Sequence, residues 1–397
     1  MTVRISKPEF NLREKLSELD KPTGLKGNEL MRSDTSQDAR DLISAGRKNK
    51  IINGAMLIDQ RHSGSSNSSS NGYHTDRFRT QAAGMDQLNQ SYQQVSDGPA
   101  GFPKSLKITT NTAESDIAST GEYLALYQKI EGQNLQDLAY GTISAKPVTV
   151  SFYVKSSITG TFGYTVYRDE TTDRAINKTY TIDRANTWER KTITLEGDNT
   201  QAIGNDAADN WWNVWILGSS PGYMSAPTSV WANYSGSNWA GFHEQNGVIT
   251  TQNATWYITG VQIEVGENAT EFEHRSIGEE LALCQRYFVR MNGSTGGLST
   301  NDGALATLAN WTDTAAYGPI FMPVEMRTPP GLTDYSNLKY YSAGQTFTPS
   351  GNQAVFTGAA KDRVEIRLNS MTNMTQGNAG WLRIDNTNGY MDFNSEL

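Results

Sequence analysis

Three groups of acidic residues stand close enough in the chain to act together: Asp169, Glu170 and Asp173; Asp206 and Asp209; and Glu264, Glu267, Glu271 and Glu273. Two carboxylates on either side of a sugar bond are the minimal machinery for its hydrolysis. The first group falls at an expected hairpin turn, where carboxylates are ordinary solvated residues. Asp206 and Asp209 lie in GNDAADNWW, beside an aromatic run, and form the most site-like pair. The aromatic residues themselves are the sharper signal. Seven of the nine tryptophans fall between Trp188 and Trp256, and one stretch holds Trp211, Trp212, Trp215, Tyr223, Trp231, Tyr234, Trp239 and Phe242 among Ser, Asn and Gly. Sugar rings have apolar faces that stack on indole and phenol, while Asn, Asp and Ser meet their hydroxyls. The expected carbohydrate contacts are therefore Trp231, Tyr234, Trp239 and Trp211, with Asp206 and Asp209. Trp212 or Trp215, close to the apolar VWIL run, would instead pack a core.

No nucleophile elbow, phosphate loop, dinucleotide fingerprint or zinc-spaced set of His and Cys occurs. The four histidines are scattered. The single cysteine, Cys284, excludes an intrachain disulfide framework and a thiolate metal site, and its apolar setting predicts simple burial. No catalytic residue, cofactor or metal is expected. A net charge of -8 over 397 residues argues against nucleic acid as partner, because phosphate binding needs clustered Lys and Arg. No apolar run is long enough to cross a bilayer, and the N-terminus lacks a secretory pattern, so neither membrane insertion nor a signal peptide is expected.

The elements that must position these residues are mostly strands. Charged residues make up only 19% of the chain, with 36 Gly and 12 Pro, a composition suited to short strands joined by many turns. Residues 1–50 differ. There, FNLREKLSELDKP spaces Phe10, Leu12, Leu16 and Leu19 at nearly 3.6 residues, and SDTSQDARDLISAG reads as a second short helix carrying Leu42 and Ile43. Two such helices cannot hold a core alone, so their apolar stripes predict attachment or self-association. From Ile51 the period changes to two, starting at KIINGAMLIDQR around an Asn53-Gly54 turn. After a Ser/Asn-rich loop, strand patterns recur in SLKITTNT, EYLALYQKI, VTVSFYVKSS, TFGYTVYRDE, NKTYTIDRA, WERKTITLEG, NVWILGSS and TWYITGVQIEV. This predicts an antiparallel jelly-roll sandwich over 51–276. A helical linker follows at 277–291, with Glu279 and Glu280 favoured at its N-terminus. Short strands over 292–397, among them YGPIFMPVEM, LKYYSAG, RVEIRLN and GWLRIDN, predict a smaller second sandwich. The expected class is mainly β: short N-terminal α-helices, a jelly roll, then a smaller C-terminal β-sandwich.

Two segments carry a resemblance. FNLREKLSELDKPTGLKGNELMRSDTSQDARDLISAGRKNKIINGAM is similar to the N-terminus of fibre-type structural proteins of marine tailed phages, particularly those infecting cyanobacteria. GVQIEVGENATEFEHRSIGEELALCQRYF resembles the segment that follows a carbohydrate-binding-module-like jelly roll in phage tail fibres, and YMDFNSEL resembles how such chains end. The resemblance implies a homotrimer in the virion, held through residues 1–50 by a tail adaptor, nozzle or other virion protein, with distal domains reaching host-surface polysaccharide. It transfers no catalytic residue. Three functions compete: a non-enzymatic receptor-binding tail fibre, a purely structural head or connector fibre, and a polysaccharide depolymerase. The last is weakened by the lack of long parallel-strand repeats.

Overall fold

The computed structural model describes residues 47–118, 121–224, 230–240, 247–292, 303–349, 354–384 and 389–397. The chain divides into two compact units, Met1–Lys48 and Asn49–Leu397. The expected N-terminal helices, with Phe10, Leu12, Leu16, Leu19, Leu42 and Ile43, lie outside the described residues, as does Phe242.

The second unit begins with a sandwich of two antiparallel sheets. Its strands are β1 (Tyr73–Thr75), β2 (Phe78–Ala83), β3 (Asn89–Val95), β4 (Ser105–Thr112), β5 (Tyr123–Ile130), β6 (Val148–Ser156), β7 (Gly160–Arg168), β8 (Arg174–Ile182), β9 (Glu189–Leu195), β10 (Trp211–Ser219), β11 (Ala232–Asn233) and β12 (Thr255–Val265). One sheet has the order β1-β2-β5-β10-β7-β8-β11 and the other β3-β4-β12-β6-β9. This crossing of consecutive strands between two sheets is the expected jelly roll.

The alternation of side chains builds the core. In β6, Val148, Val150, Phe152 and Val154 are all fully buried. In β12 the inward set is Trp256 and Ile258, then Val261 and Ile263, a change of parity that would turn apolar residues outward in a regular strand. A bulge between Thr259 and Gln262 absorbs the extra residue, at Gly260 with φ +62°.

Strands β5 and β10 are unusual in being apolar on both faces. Leu124, Leu126 and Ile130 face the core with Trp211, Trp215 and Leu217. Ala125 and Tyr127, with Val214 and Ile216, face the other way and are also buried. Something must cover that outer face, and the chain after β10 does so.

KIINGAMLIDQR departs from expectation. The Asn53-Gly54 turn forms, with Asn53 at φ 59°, but no strands flank it. The Asn53 side chain donates to the carbonyls of Ile58 (2.8 Å) and Asp76 (2.9 Å) and accepts from the Ile58 amide (2.9 Å), holding an irregular loop closed. Strand β1 falls within the expected Ser/Asn-rich loop, and β2 and β3 lie beyond it in sequence that carried no strand signal.

Helix α1 (Ile277–Gln285) leaves the sandwich, with the Ser276 hydroxyl accepting from the Glu279 amide at 3.3 Å as its N-cap. The second sandwich comprises β13 (Phe288–Asn292), β14 (Gly303–Asn310), β15 (Ala316–Phe321), β16 (Gly331–Ser336), β17 (Leu338–Ser342), β18 (Gln345–Phe347), β19 (Ala354–Ala360), β20 (Arg363–Leu368), β21 (Ala379–Ile384) and β22 (Tyr390–Asn394). Its sheets run β13-β22-β16 and β18-β17-β21-β14-β15-β20-β19. They enclose Leu308, Ile320, Tyr340, Ile366, Leu382, Met391 and Phe393. Cys284 is buried, as its apolar setting predicts.

The two sandwiches share a charged, largely buried seam. Glu131 receives both guanidinium nitrogens of Arg286 (2.9 and 2.8 Å) and the Tyr287 hydroxyl (2.5 Å). The C-terminal residues enter this seam: Glu396 pairs with Arg77 and Arg61, and Arg327 reaches the carbonyls of Ala207 (2.9 Å), Ser395 (2.8 Å) and Glu396 (2.8 Å). Buried ions tolerate desolvation only when paired, and here the pairing is partial: Arg77 Nε and Arg61 Nη1 are buried with no hydrogen-bond partner among the described residues.

Candidate functional site

The outer face of the seven-stranded jelly-roll sheet carries the densest aromatic group. Parity places Tyr123 and Tyr127 outward on β5, Trp212 on β10 and Tyr167 on β7, and the register sets Trp212 opposite both Tyr167 and Lys129. The segment after β10 returns across this face. A short turn at Pro221–Tyr223 brings Tyr223, and a capped turn at Gly236–Asn238, with Ser235 and Asn238 in a reciprocal capping box, sets Trp239 at its end. The Tyr234 amide donates to the Asp173 carbonyl at 2.8 Å, and the Ala240 amide to the Tyr223 carbonyl at 3.0 Å, pinning the segment to the sheet.

The result is an open cleft of about 300 Å³ lined by Gln81, Tyr123, Tyr167, Trp212, Tyr223, Tyr234 and Trp239. Tyr127 stacks on Trp212 (5.5 Å, 21°), and edge contacts link Trp212 to Tyr167 (5.3 Å), Tyr167 to Tyr234 (5.0 Å) and Trp239 to Tyr123 (5.9 Å). The Trp239 indole nitrogen is buried and has no hydrogen-bond partner among the described residues. The rings thus brace one another, which fixes their orientation before anything binds.

One end of the cleft is charged. Lys129 Nζ lies 3.6 Å from the Trp212 ring and 2.5 Å from Asp209 Oδ2, and the Trp212 indole donates to the Asp209 carbonyl at 2.8 Å. Burial lowers the Lys129 ammonium below its usual range, against the pull of Asp209. Burial, with Asp209 and Asp173 adding repulsion, raises the Asp169 carboxyl. The Tyr167 hydroxyl donates to Asp173 Oδ2 at 2.8 Å. Burial also raises the phenols: Tyr127 to about 12, and Tyr123, Tyr167 and Tyr234 upward as well. All four stay protonated near neutrality; Tyr167 donates its proton to Asp173, and the other three can donate elsewhere.

Of the residues expected from sequence, Tyr234 and Trp239 line this cleft, and Asp209 lies behind its Trp212 wall, bonded to Lys129 and to the Trp212 indole. Trp211 does not: it is fully buried in the sandwich core, its indole donating to Asn213 Oδ1 at 2.8 Å. Inward parity on β10 removes it from any surface, which corrects the expectation. Trp231 packs at one end of the same core, 5.8 Å from Trp211, with its indole on the Glu196 carbonyl at 2.7 Å, and does not line the cleft. Asp206 closes its own turn, accepting from the Ala208 amide at 3.0 Å, while its carbonyl accepts from the Gln133 amide at 2.9 Å. Asp206 and Asp209 therefore engage separate partners. Trp215 is a core residue as expected, whereas Trp212 belongs to the cleft. Tyr123, Tyr127, Tyr167 and Lys129 were not anticipated, although their alternation in YLALYQK and GYTVYRD marks a shared face. Among the described residues no cluster of His, Cys, Asp or Glu could hold a metal ion, and no helix is long and apolar enough to cross a membrane.

No family model matches the sequence, and no curated protein matches it. Solved structures similar to the chain include a family 11 carbohydrate-binding module from Clostridium thermocellum in complex with a mixed-linked tetrasaccharide (9% identity, 53% of this chain, 98% of that one, TM-score 0.27). A xylan-binding domain from Paenibacillus barcinonensis also matches (13% identity, 56% of this chain, 100% of that one, TM-score 0.25). So does the enzymatically active domain of tailspike protein 4 of bacteriophage CBA120 (11% identity, 55% of this chain, 21% of that one, TM-score 0.29).

Proposed function

We propose that this protein is a non-enzymatic glycan-binding fibre component of a tailed phage, holding host-surface polysaccharide in the aromatic cleft of its jelly roll. The observation that carries the binding reading is the cleft itself. Its braced indole and phenol rings, protonated hydroxyls and an amide at Gln81 form one open groove. Such a surface suits the alternating apolar faces and hydroxyl edges of a sugar chain and gives a small apolar molecule little enclosure. Two of the three carboxylates at its charged end are engaged, Asp209 by Lys129 and Asp173 by Tyr167, and the third, Asp169, is raised by burial; among the described residues no pair of free carboxylates faces the groove, which favours binding over hydrolysis. The virion role rests on the sequence resemblance of the N-terminal fifty residues, whose apolar stripes call for a partner. A homotrimer would multiply weak sugar contacts by avidity.

The test is affinity electrophoresis of the full chain through a panel of soluble neutral polysaccharides, with the polymers sized afterwards. Retardation of the wild type, lost in Trp212→Ala and Trp239→Ala with polymer length unchanged, is the expected result. Shortened polymer would make the protein a depolymerase. Failure to bind any polymer or intact host cells would leave a purely structural virion role. Light scattering should give three times the mass of one chain, and antibody labelling of phage particles should place the protein on the tail.

A further inference from the structure

We propose that the outer face of the seven-stranded sheet in the C-terminal sandwich is a second, separate binding site, for a carboxylate-bearing polysaccharide such as a polyuronate. Side-chain parity defines the face. With Tyr340, Leu382, Ile320 and Ile366 turned to the core, the outward residues are Lys339 and Tyr341 on β17, Trp381 and Arg383 on β21, Tyr317 and Phe321 on β15, and Arg363, Glu365 and Arg367 on β20. Among the described residues of these four strands the outward charges are four cations and one carboxylate, on a chain whose net charge is -8. Arg363 also meets Asp362 at 3.8 Å in the turn before β20.

The aromatics on this face are exposed to an extent that folding does not explain. Trp381 is 54% exposed, Phe321 63%, and Trp311, just past the end of β14, 69%. Trp381 and Trp311 border two depressions. One, of about 370 Å³, lies between the Trp381–Tyr341 cross-strand pair and the β17–β18 turn. The other, of about 240 Å³, is lined by Trp311, Tyr317 and Arg367. The second joins an indole, a phenol and a guanidinium, with Tyr317 and Arg367 paired across β15 and β20; beside the first, Arg383 sits 5.2 Å from the Trp381 ring and 5.1 Å from Tyr341. Strands β21 and β15 are two apart in the sheet, so the groups are separated by roughly 10 Å across the strands. A polymer whose rings carry both an apolar face and a carboxylate matches each group at once, stacking on the indole while the guanidinium takes the carboxylate in a forked hydrogen bond.

Charge decides against the other occupants. A second copy seated face to face on this surface would oppose cation to cation. Four dispersed cations form no groove that tracks a phosphate backbone.

The experiment uses the full chain in affinity electrophoresis with alginate, carboxyl-reduced alginate and a thirty-residue oligothymidylate, at low and high salt. Wild type is expected to bind alginate, to lose the interaction as salt rises, and to bind the carboxyl-reduced polymer at least tenfold more weakly. Trp381→Ala, Trp311→Ala and Arg367→Gln should each weaken alginate binding about tenfold with unchanged melting temperature, while Trp381→Phe retains most of it. Trp212→Ala, in the jelly-roll cleft, should bind alginate like wild type. The inference is overturned by absent alginate binding, by equal binding of the reduced polymer, by preference for the oligonucleotide, by loss of alginate binding in Trp212→Ala, or by a fall in oligomer mass in the Trp381 or Trp311 variants.

Discussion

Trp211 and Trp212 are neighbours in sequence with opposite placements, because successive strand residues point to opposite faces. Trp211 is sealed in the core, and Trp212 stacks between Tyr127 and the Lys129 ammonium at the cleft. Trp211→Ala should therefore cost about 3–5 kcal/mol of stability through the cavity it leaves. Trp212→Ala should lower glycan affinity about tenfold or more, with a melting-temperature change of a few degrees, when both variants are compared by thermal melting and polysaccharide titration. A Trp212 variant that melts as early as the Trp211 variant would place both indoles in the core. The raised phenols make a second expectation at this scale. With Tyr127 pushed up to about 12, and Tyr123, Tyr167 and Tyr234 raised as well, each hydroxyl keeps its proton far above neutrality. Glycan affinity measured by calorimetry should accordingly stay flat between about pH 6 and pH 9. A drop within that range would assign the pH dependence to Asp169 or Lys129 at the charged end rather than to the phenols.

Individual strands were legible in the sequence wherever one face is apolar and the other polar: β4, β6, β9 and β20 fall where alternation puts them. Short strands with weak alternation were not, and β1 to β3 follow or interrupt a Ser/Asn-rich tract whose pairing comes from β5 and β4 rather than from its own residues. The cleft was half legible for a related reason. An aromatic loop could be seen to exist, but which of Trp231 and Trp239 it lays on the sheet depends on the turns at Pro221–Tyr223 and Gly236–Asn238, whose placement no spacing rule fixes. The two-faced strands β5 and β10 were the available clue, since an outward Tyr123-Ala125-Tyr127 row needs a cover. The bulge in β12 yields the prediction that belongs to this scale. A Cβ at Gly260 would lie 2.9 Å from both Phe102 Cζ and Tyr153 Cδ2, at φ +62°. Gly260→Ala should destabilise by about 1–3 kcal/mol, seen as a lower urea midpoint with unchanged slope. A neutral result would mean that the bulge relocates, because the parity of Val261 and Ile263 still has to be kept.

Across the molecule, the seam between the two sandwiches sets buried ions against the rings of Tyr287 and Phe288, and its charges make their union sensitive to pH. Asp76 is fully buried there, accepting from the Gln60 amide at 3.0 Å, with Arg61 3.7 Å away. Arg61 is shared with Glu396, the residue through which the C-terminus is tied to Arg77. Burial outweighs that partial pairing and raises the Asp76 carboxyl from 3.8 to about 6. In the unfolded chain the same group titrates near 4, so between about pH 4 and pH 6 the folded state holds a proton that the unfolded state has released. Stability from this group is therefore present at the acid end and is lost as pH rises through about 6, on the order of 3 kcal/mol in total. Glu131, held low by Arg286 and Tyr287 against its burial, works in the opposite direction and loses its contribution as pH falls below the usual carboxylate range. A single melting curve mixes the two, so the comparison must be with Asp76→Asn, which cannot ionise and keeps a carbonyl oxygen for the Gln60 backbone amide; it loses the acceptor for the Gln60 side chain, a cost that is the same at every pH. Relative to that variant, wild type should gain stability as pH is lowered from about 7 to about 5, read as diverging urea midpoints. Parallel curves for the two proteins would show that Arg61 neutralises Asp76 fully, and that the seam holds its charges without a proton.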